Sequence, residues 1–156
     1  MKKLLRITSL LGLSLLVFSS CCGYKTITCP VSGNPVLYPK SQKCAKRFYE
    51  DAVKTWSPTL KATVDVIESV TVDADLSVKN EAQLLKDKLT SEDQIMQGAL
   101  QTAFLTLTMR PCDGDAMMSK VLTAASEYKV KLETIRANLQ SSKDVKSDIK
   151  ETVKKL

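Results

Sequence analysis

A chain of 156 residues, 44% hydrophobic and 26% charged, has the make-up of one ordinary globular domain. Only 5% of the residues are aromatic and 5 are glycine, which disfavours a many-turned β-sandwich or barrel and points to an all-α fold. The formal charge is +6 and there is no histidine. That absence excludes Ser-His-Asp and Cys-His nucleophile systems and the commonest general base near neutral pH, so no enzymatic role is expected.

At the N-terminus, Lys2, Lys3 and Arg6 form a positive segment, Leu10 to Phe18 a mostly apolar one, and Ser19-Ser20 a pair of small residues. This is the layout of a cleaved secretory signal over residues 1–20, and its apolar stretch is short of the roughly 20 residues that cross a bilayer as a helix. The run Phe18-Ser19-Ser20-Cys21 resembles the lipobox of bacterial lipoproteins, with Phe18 where that family more often has Leu. The resemblance implies cleavage before Cys21 and a diacylglycerol thioether on Cys21. A frame shifted to Cys22 puts Ser19 at the apolar position and fits less well. It further implies a protein of the bacterial cell envelope, held to the membrane by its N-terminal lipid. With Cys22 rather than Asp after the lipidated residue, it implies the outer membrane facing the periplasm, or the cell surface. Processing removes three positive charges and no negative ones, leaving 20 basic against 17 acidic residues. The basicity of the whole chain is therefore no argument for nucleic acid as a partner.

Residues 21–43 read as a lipidated, irregular tether: "GYKTITCPVSGNPVLYPKSQK" holds three prolines and two glycines and shows no helical period. Either it is a spacer lifting the domain off the membrane, or a strap packed across the helices by Val36, Leu37 and Tyr38. The helical domain is expected over 44–140. Ala45, Phe48, Tyr49, Ala52, Val53 and Trp56 form one amphipathic stripe, continued in phase by Leu60, Val64 and Ile67. At Pro58 the helix either kinks or restarts, with Ser57 as cap. Residues 71–80 form a loop. A second stripe runs through Leu85, Leu89, Met96, Ala99, Leu100, Ala103, Phe104 and Leu107. Ser91 to Gln94 could split it as an internal capping box, but the unbroken phase favours one element. Pro111 and Gly114 stop it, and Asp113 or Asp115 caps a third helix through Met118, Val121, Leu122, Ala125, Tyr128, Leu132, Ile135 and Leu139. The expected architecture is a three-helix up-down-up bundle. Residues 141–156 carry a thinner stripe (Val145, Ile149, Val153, Leu156) with a Glu151–Lys155 pair, and read as a charged helical extension.

Setting Cys21 aside leaves Cys22, Cys29, Cys44 and Cys112 as disulfide candidates in an oxidising compartment. In an up-down-up bundle Cys44 and Cys112 fall at the same end, so the expected bonds are Cys44 to Cys112 and Cys22 to Cys29, with Cys29 to Cys44 as a local alternative. No C-x-x-C spacing suggests a metal, and Asp73-Ala74-Asp75 and Asp113-Gly114-Asp115 lack the further ligands of a calcium loop. No cofactor is expected. Two functions remain. One is a non-enzymatic helical binding or structural module that docks an unidentified envelope protein. The other is a periplasmic carrier or sensor of a small apolar ligand held between helices, lined by Met96, Phe104, Met109, Met117 and Met118.

Overall fold

The chain between Cys22 and the first helix is not irregular. In the computed structural model, which describes residues 22–156, it forms an antiparallel hairpin of β1 (Tyr24–Thr28) and β2 (Pro35–Pro39), in register from Tyr24↔Pro39 to Thr28↔Pro35. The turn closes by Cys29 N–H donating to Asn34 O at 3.0 Å and Gly33 N–H to Cys29 O at 2.8 Å. Gly33 takes the positive φ of 69° that this turn requires. β2 packs on the helices through buried Val36 and half-buried Tyr38, while Leu37 faces outward and every residue of β1 is exposed. Of the two readings of this segment, the structure has a strap, seated by two of the three residues expected to seat it.

Helix α1 (Gln42–Val53) starts where the Ser41 hydroxyl accepts from Cys44 N–H at 3.3 Å. Pro58 has no N–H to give, and the chain breaks ahead of it: Thr55 and Trp56 bond back three residues to Ala52 and Val53. Helix α2 (Ser57–Val70) then begins with Pro58 in its first turn. Ser57 is its first helical residue, not its cap; the cap position belongs to Trp56. Asp75 opens α3 (Leu76–Met109) by accepting from Val78 N–H at 2.9 Å, a bond that holds its carboxyl below the usual range. The expected loop over 71–80 is thus confined to residues 71–75. Helix α3 is unbroken over 34 residues, about 50 Å at 1.5 Å per residue. No cap interrupts it at Ser91.

Arg110 alone separates α3 from α4 (Pro111–Ser141). Neither Asp113 nor Asp115 caps α4; Asp113 lies in its first turn. Gly114 does not end a helix but sits inside α4, buried against the backbone of Leu107 and Thr106. The C-terminal segment is not an extension of α4 either. Asp144 caps a separate helix α5 (Val145–Lys155), which folds back so that Ile149 is completely buried and Val153 nearly so. The Glu151–Lys155 ion pair forms on its outer face.

Contacts along the helices set their directions. Tyr49 with Gln97, Trp56 with Asp93, and Glu68 with Lys86 run α1 and α2 antiparallel to α3. Gly114 against Leu107 and, further along, Tyr128 with Leu89 run α4 antiparallel to α3. Asp75 with Lys146 and Lys88 with the Val153 carbonyl lay α5 along the first half of α3. Fully buried Trp56, Ile67, Leu85, Leu89, Leu100, Leu132, Leu139 and Ile149 make one continuous core, each contributing roughly 1.5–3 kcal/mol. The helical class is as expected, but the plan is not a plain three-helix bundle: the first arm is two helices, and α5 adds a further packed element.

The disulfides cross the expected pairing. Cys22 bonds Cys44, with Cα atoms 5.3 Å apart, and Cys29 bonds Cys112, at 5.6 Å. The hairpin is the reason. Strand β1 separates Cys22 from Cys29 by more than about 16 Å at ~3.3 Å per residue, well beyond the ~7 Å that a disulfide can bridge. Antiparallel return instead brings Gly23 to Lys40, whose N–H donates to the Gly23 carbonyl at 2.9 Å, and so sets Cys22 beside the first turn of α1. The hairpin turn carries Cys29 across to the start of α4.

Candidate functional site

The two long helices leave a groove on the side away from α1 and α2, and only half of it is covered. Helix α5 fills the lower half with Ile149 and Val153, and its end lies in a cleft with Lys131, Ile135 and Asn138 of α4. Lys131 also borders the next stretch, a depression of about 310 Å³ lined by Glu92, Ile95, Met96, Ala124, Glu127 and Tyr128. Among the described residues no helix covers this upper half. Ile95 is 70% exposed there, and by helical spacing Ala99 on α3 and Val121 and Met117 on α4 continue the strip. From Gln94 to Met109, α3 carries no charged side chain at all. The α3 side of this face is thus small, apolar or uncharged, with Glu92, Glu127 and Lys131 at the margin, and an apolar strip with a charged rim is what a helix packing into another needs.

A buried polar network stiffens the floor. Trp56, fully buried, donates its indole N–H to Asp93 Oδ1 at 2.7 Å; Gln97 donates to Asp93 Oδ2 at 2.7 Å; the Tyr49 hydroxyl donates to Gln97 Oε1 at 3.1 Å. One carboxylate thereby ties α1, α2 and α3 together. Glu92, the next residue, accepts from Lys131 Nζ at 2.8 and 2.9 Å, bridging the groove to α4. Among the described residues no buried side-chain nitrogen or oxygen is left without a partner. Asp93→Ala strands the indole N–H and one amide, and is expected to cost about 2–3 kcal/mol in chemical denaturation. Asp93→Asn, which keeps an acceptor, is expected to lose less. Equal losses in the two variants would show that the acceptor oxygens do not hold this junction.

Tyr128 closes the floor by donating to the Leu89 carbonyl at 2.8 Å. Burial, and then the negative charges of Asp93 and Glu92, raise its phenol well above the ordinary 10.0. Because the folded value is the higher one, the associated stability is present below pH 10.0 and is lost as pH rises past it, where only the unfolded chain ionises. Denaturation midpoints compared on either side of that pH should fall less steeply in Tyr128→Phe than in wild type. An unchanged slope would remove Tyr128 as its source.

The residues expected to line a ligand chamber are not brought together. Met96 borders the groove, Phe104 stacks near Phe48 on the α1 side at 6.2 Å, Met118 is in the core, Met117 is partly exposed, and Met109 is 79% exposed at the end of α3. Of the cysteines, all four disulfide candidates are bonded, and Cys21 lies outside the described residues. Ile95, Ala124 and Asp93 were not legible as site residues. The charge-free run from Gln94 to Met109 was the available signal, since a helix of that length cannot bury every face. Among the described residues no group of histidine, cysteine or acidic side chains could hold a metal ion, and no helix is long and apolar enough to cross a membrane. Compared with protein-family models, with curated proteins and with solved structures, the chain matches none.

Proposed function

We propose that this is a lipid-anchored protein of the bacterial cell envelope, held by an acylated Cys21 at the outer membrane facing the periplasm or at the cell surface. It works without catalysis as a helical docking module. The open upper half of the α3–α4 groove receives a helix from an envelope protein. The observation that carries the docking reading is the groove itself: α5 fills one half with two buried branched side chains, and the other half continues past its end with Ile95 exposed. The anchor rests on the lipobox-like Phe18-Ser19-Ser20-Cys21. Two measurements test the two parts. A palmitate analogue should label wild type and Cys22→Ala but not Cys21→Ala; the opposite pattern would move the anchor to Cys22. A photoreactive residue in place of Ile95 should give one discrete protein adduct in intact cells. That adduct should disappear when Ala124→Glu is added and should not form from position 79 at the far end of the body. Adducts insensitive to Ala124→Glu would sink the docking site.

A further inference from the structure

We propose that the end of the molecule built from the hairpin and the start of α1 lies directly on an anionic phospholipid surface, with no spacer between anchor and domain. The proposal rests on the reading of Cys21 as the lipidated residue. Its first support is charge. From Cys22 to Tyr49 the chain has five basic residues, Lys25, Lys40, Lys43, Lys46 and Arg47, and no acidic one. From Glu50 to the C-terminus there are 15 basic against 17 acidic residues. The net positive charge of the processed chain is therefore concentrated at this end, and the body beyond it is slightly negative. All five basic side chains are exposed.

Connectivity is the second support. One peptide bond separates Cys21 from Cys22, and Cys22 is bonded to Cys44 in the first turn of α1. The 21–43 segment therefore cannot pay out as a tether. Its two ends are fastened beside each other, and its turn is fastened to α4 through Cys29–Cys112. A lipid on Cys21 brings Lys40 and Lys43 to headgroup level with it. Beside Cys22 lies an open depression of about 630 Å³ lined by Lys43, Lys46, Arg47 and Lys54 and by Glu50 and Asp51. Lys46 and Lys54 pair with the two acids at 3.9 and 3.0 Å, which leaves Lys43 and Arg47 as its net positive charge. The third support is the exposed apolar residues of the same end: Val31, 99% exposed at the hairpin turn, and outward-facing Leu37. Basic residues with exposed aliphatic ones among them are the composition of an interfacial surface.

The test is a lysine footprint. Full-length protein extracted in detergent is first weighed intact, which reports whether Cys21 carries lipid. It is then reconstituted into vesicles of phosphatidylcholine, with and without phosphatidylglycerol, and modified with a water-soluble acylating reagent. In the anionic vesicles Lys40 and Lys43 should react at least about threefold more slowly than in detergent, with high salt restoring the rate, as expected when charge near the surface holds them. Lys79 and Lys143, at the opposite end, should be unaffected. Lys40→Glu with Arg47→Glu, both at exposed positions, should abolish protection of Lys25 and Lys43. Equal rates in detergent and anionic vesicles, or equal protection with and without phosphatidylglycerol, would overturn the proposal. So would protection found only in native envelopes, which points to an acidic protein instead. If the intact mass shows no lipid, the anchor reading fails by itself, and the same footprint on unlipidated protein added to preformed vesicles still decides the basic face.

Discussion

Gly114→Ala should lower the melting temperature by about 6–12 °C, an effect out of scale for one methyl group. A Cβ at position 114 would lie 2.2 Å from both the Cα and the N of Leu107, and 2.7 Å from the Thr106 carbonyl carbon. These are backbone atoms, so no side chain can rotate aside. Helices α3 and α4 must separate by more than an ångström at the point where Arg110 alone connects them. Overpacking of this kind costs about 3 kcal/mol or more, and in a chain of this size each kcal/mol moves the midpoint by about 2–4 °C. The usual gain from replacing a glycine inside a helix, about 1 kcal/mol, works in the opposite direction and is too small to compensate. Gly98→Ala is the internal control. It lies in α3 with nothing within 4 Å of its added Cβ, and should be neutral or stabilising. If both variants melt alike, close approach of the two helices at Gly114 is not what the glycine serves.

Replacing Cys29 and Cys112 together by alanine should lose about 4 kcal/mol, the largest stability change expected from any single cross-link in the molecule. The bond spans 83 positions and removes chain entropy from the unfolded state in proportion to the logarithm of that span. Cys22–Cys44 spans 22, and its removal should cost about 1 kcal/mol less. The order of the two losses is therefore part of the expectation, and denaturant midpoints measured under non-reducing conditions would read it. Peptide mapping without reduction checks the connectivity first. Lys25 lies between Cys22 and Cys29, and Lys40 between Cys29 and Cys44, so tryptic cleavage separates the cysteines onto different peptides. Peptides joining Cys44 to Cys112 would restore the pairing expected from a simple bundle and would contradict the hairpin.

Helices were legible because their signal is local. Residues three and four apart share a face, so Leu85, Leu89, Leu100 and Leu107 announced their own burial, as did Leu132, Ile135 and Leu139. The same rule marked Ile149 and Val153, although it could not say what would bury them. It also misplaced Ala99 and Leu122, both exposed, since a stripe drawn by spacing alone is wider than the surface its neighbours cover. The hairpin carries no such local signal, because its two five-residue strands lie between prolines and glycines that also suit irregular chain.

What composition and order determined alone was the helical class, an interruption of some kind at Pro58 and the turn at Pro111. Which cysteines meet, why position 114 is glycine, and where the last helix goes were decided only by tertiary structure. Each depends on residues distant in sequence arriving at one place. Cys22 meets Cys44 because a hairpin returns there, Gly114 faces Leu107 because two helices are joined through one residue, and Ile149 is buried because α5 turns back. The half-covered groove follows from the last of these. Periodicity can mark a face as apolar, but only the assembled chain determines how much of that face its own helices cover.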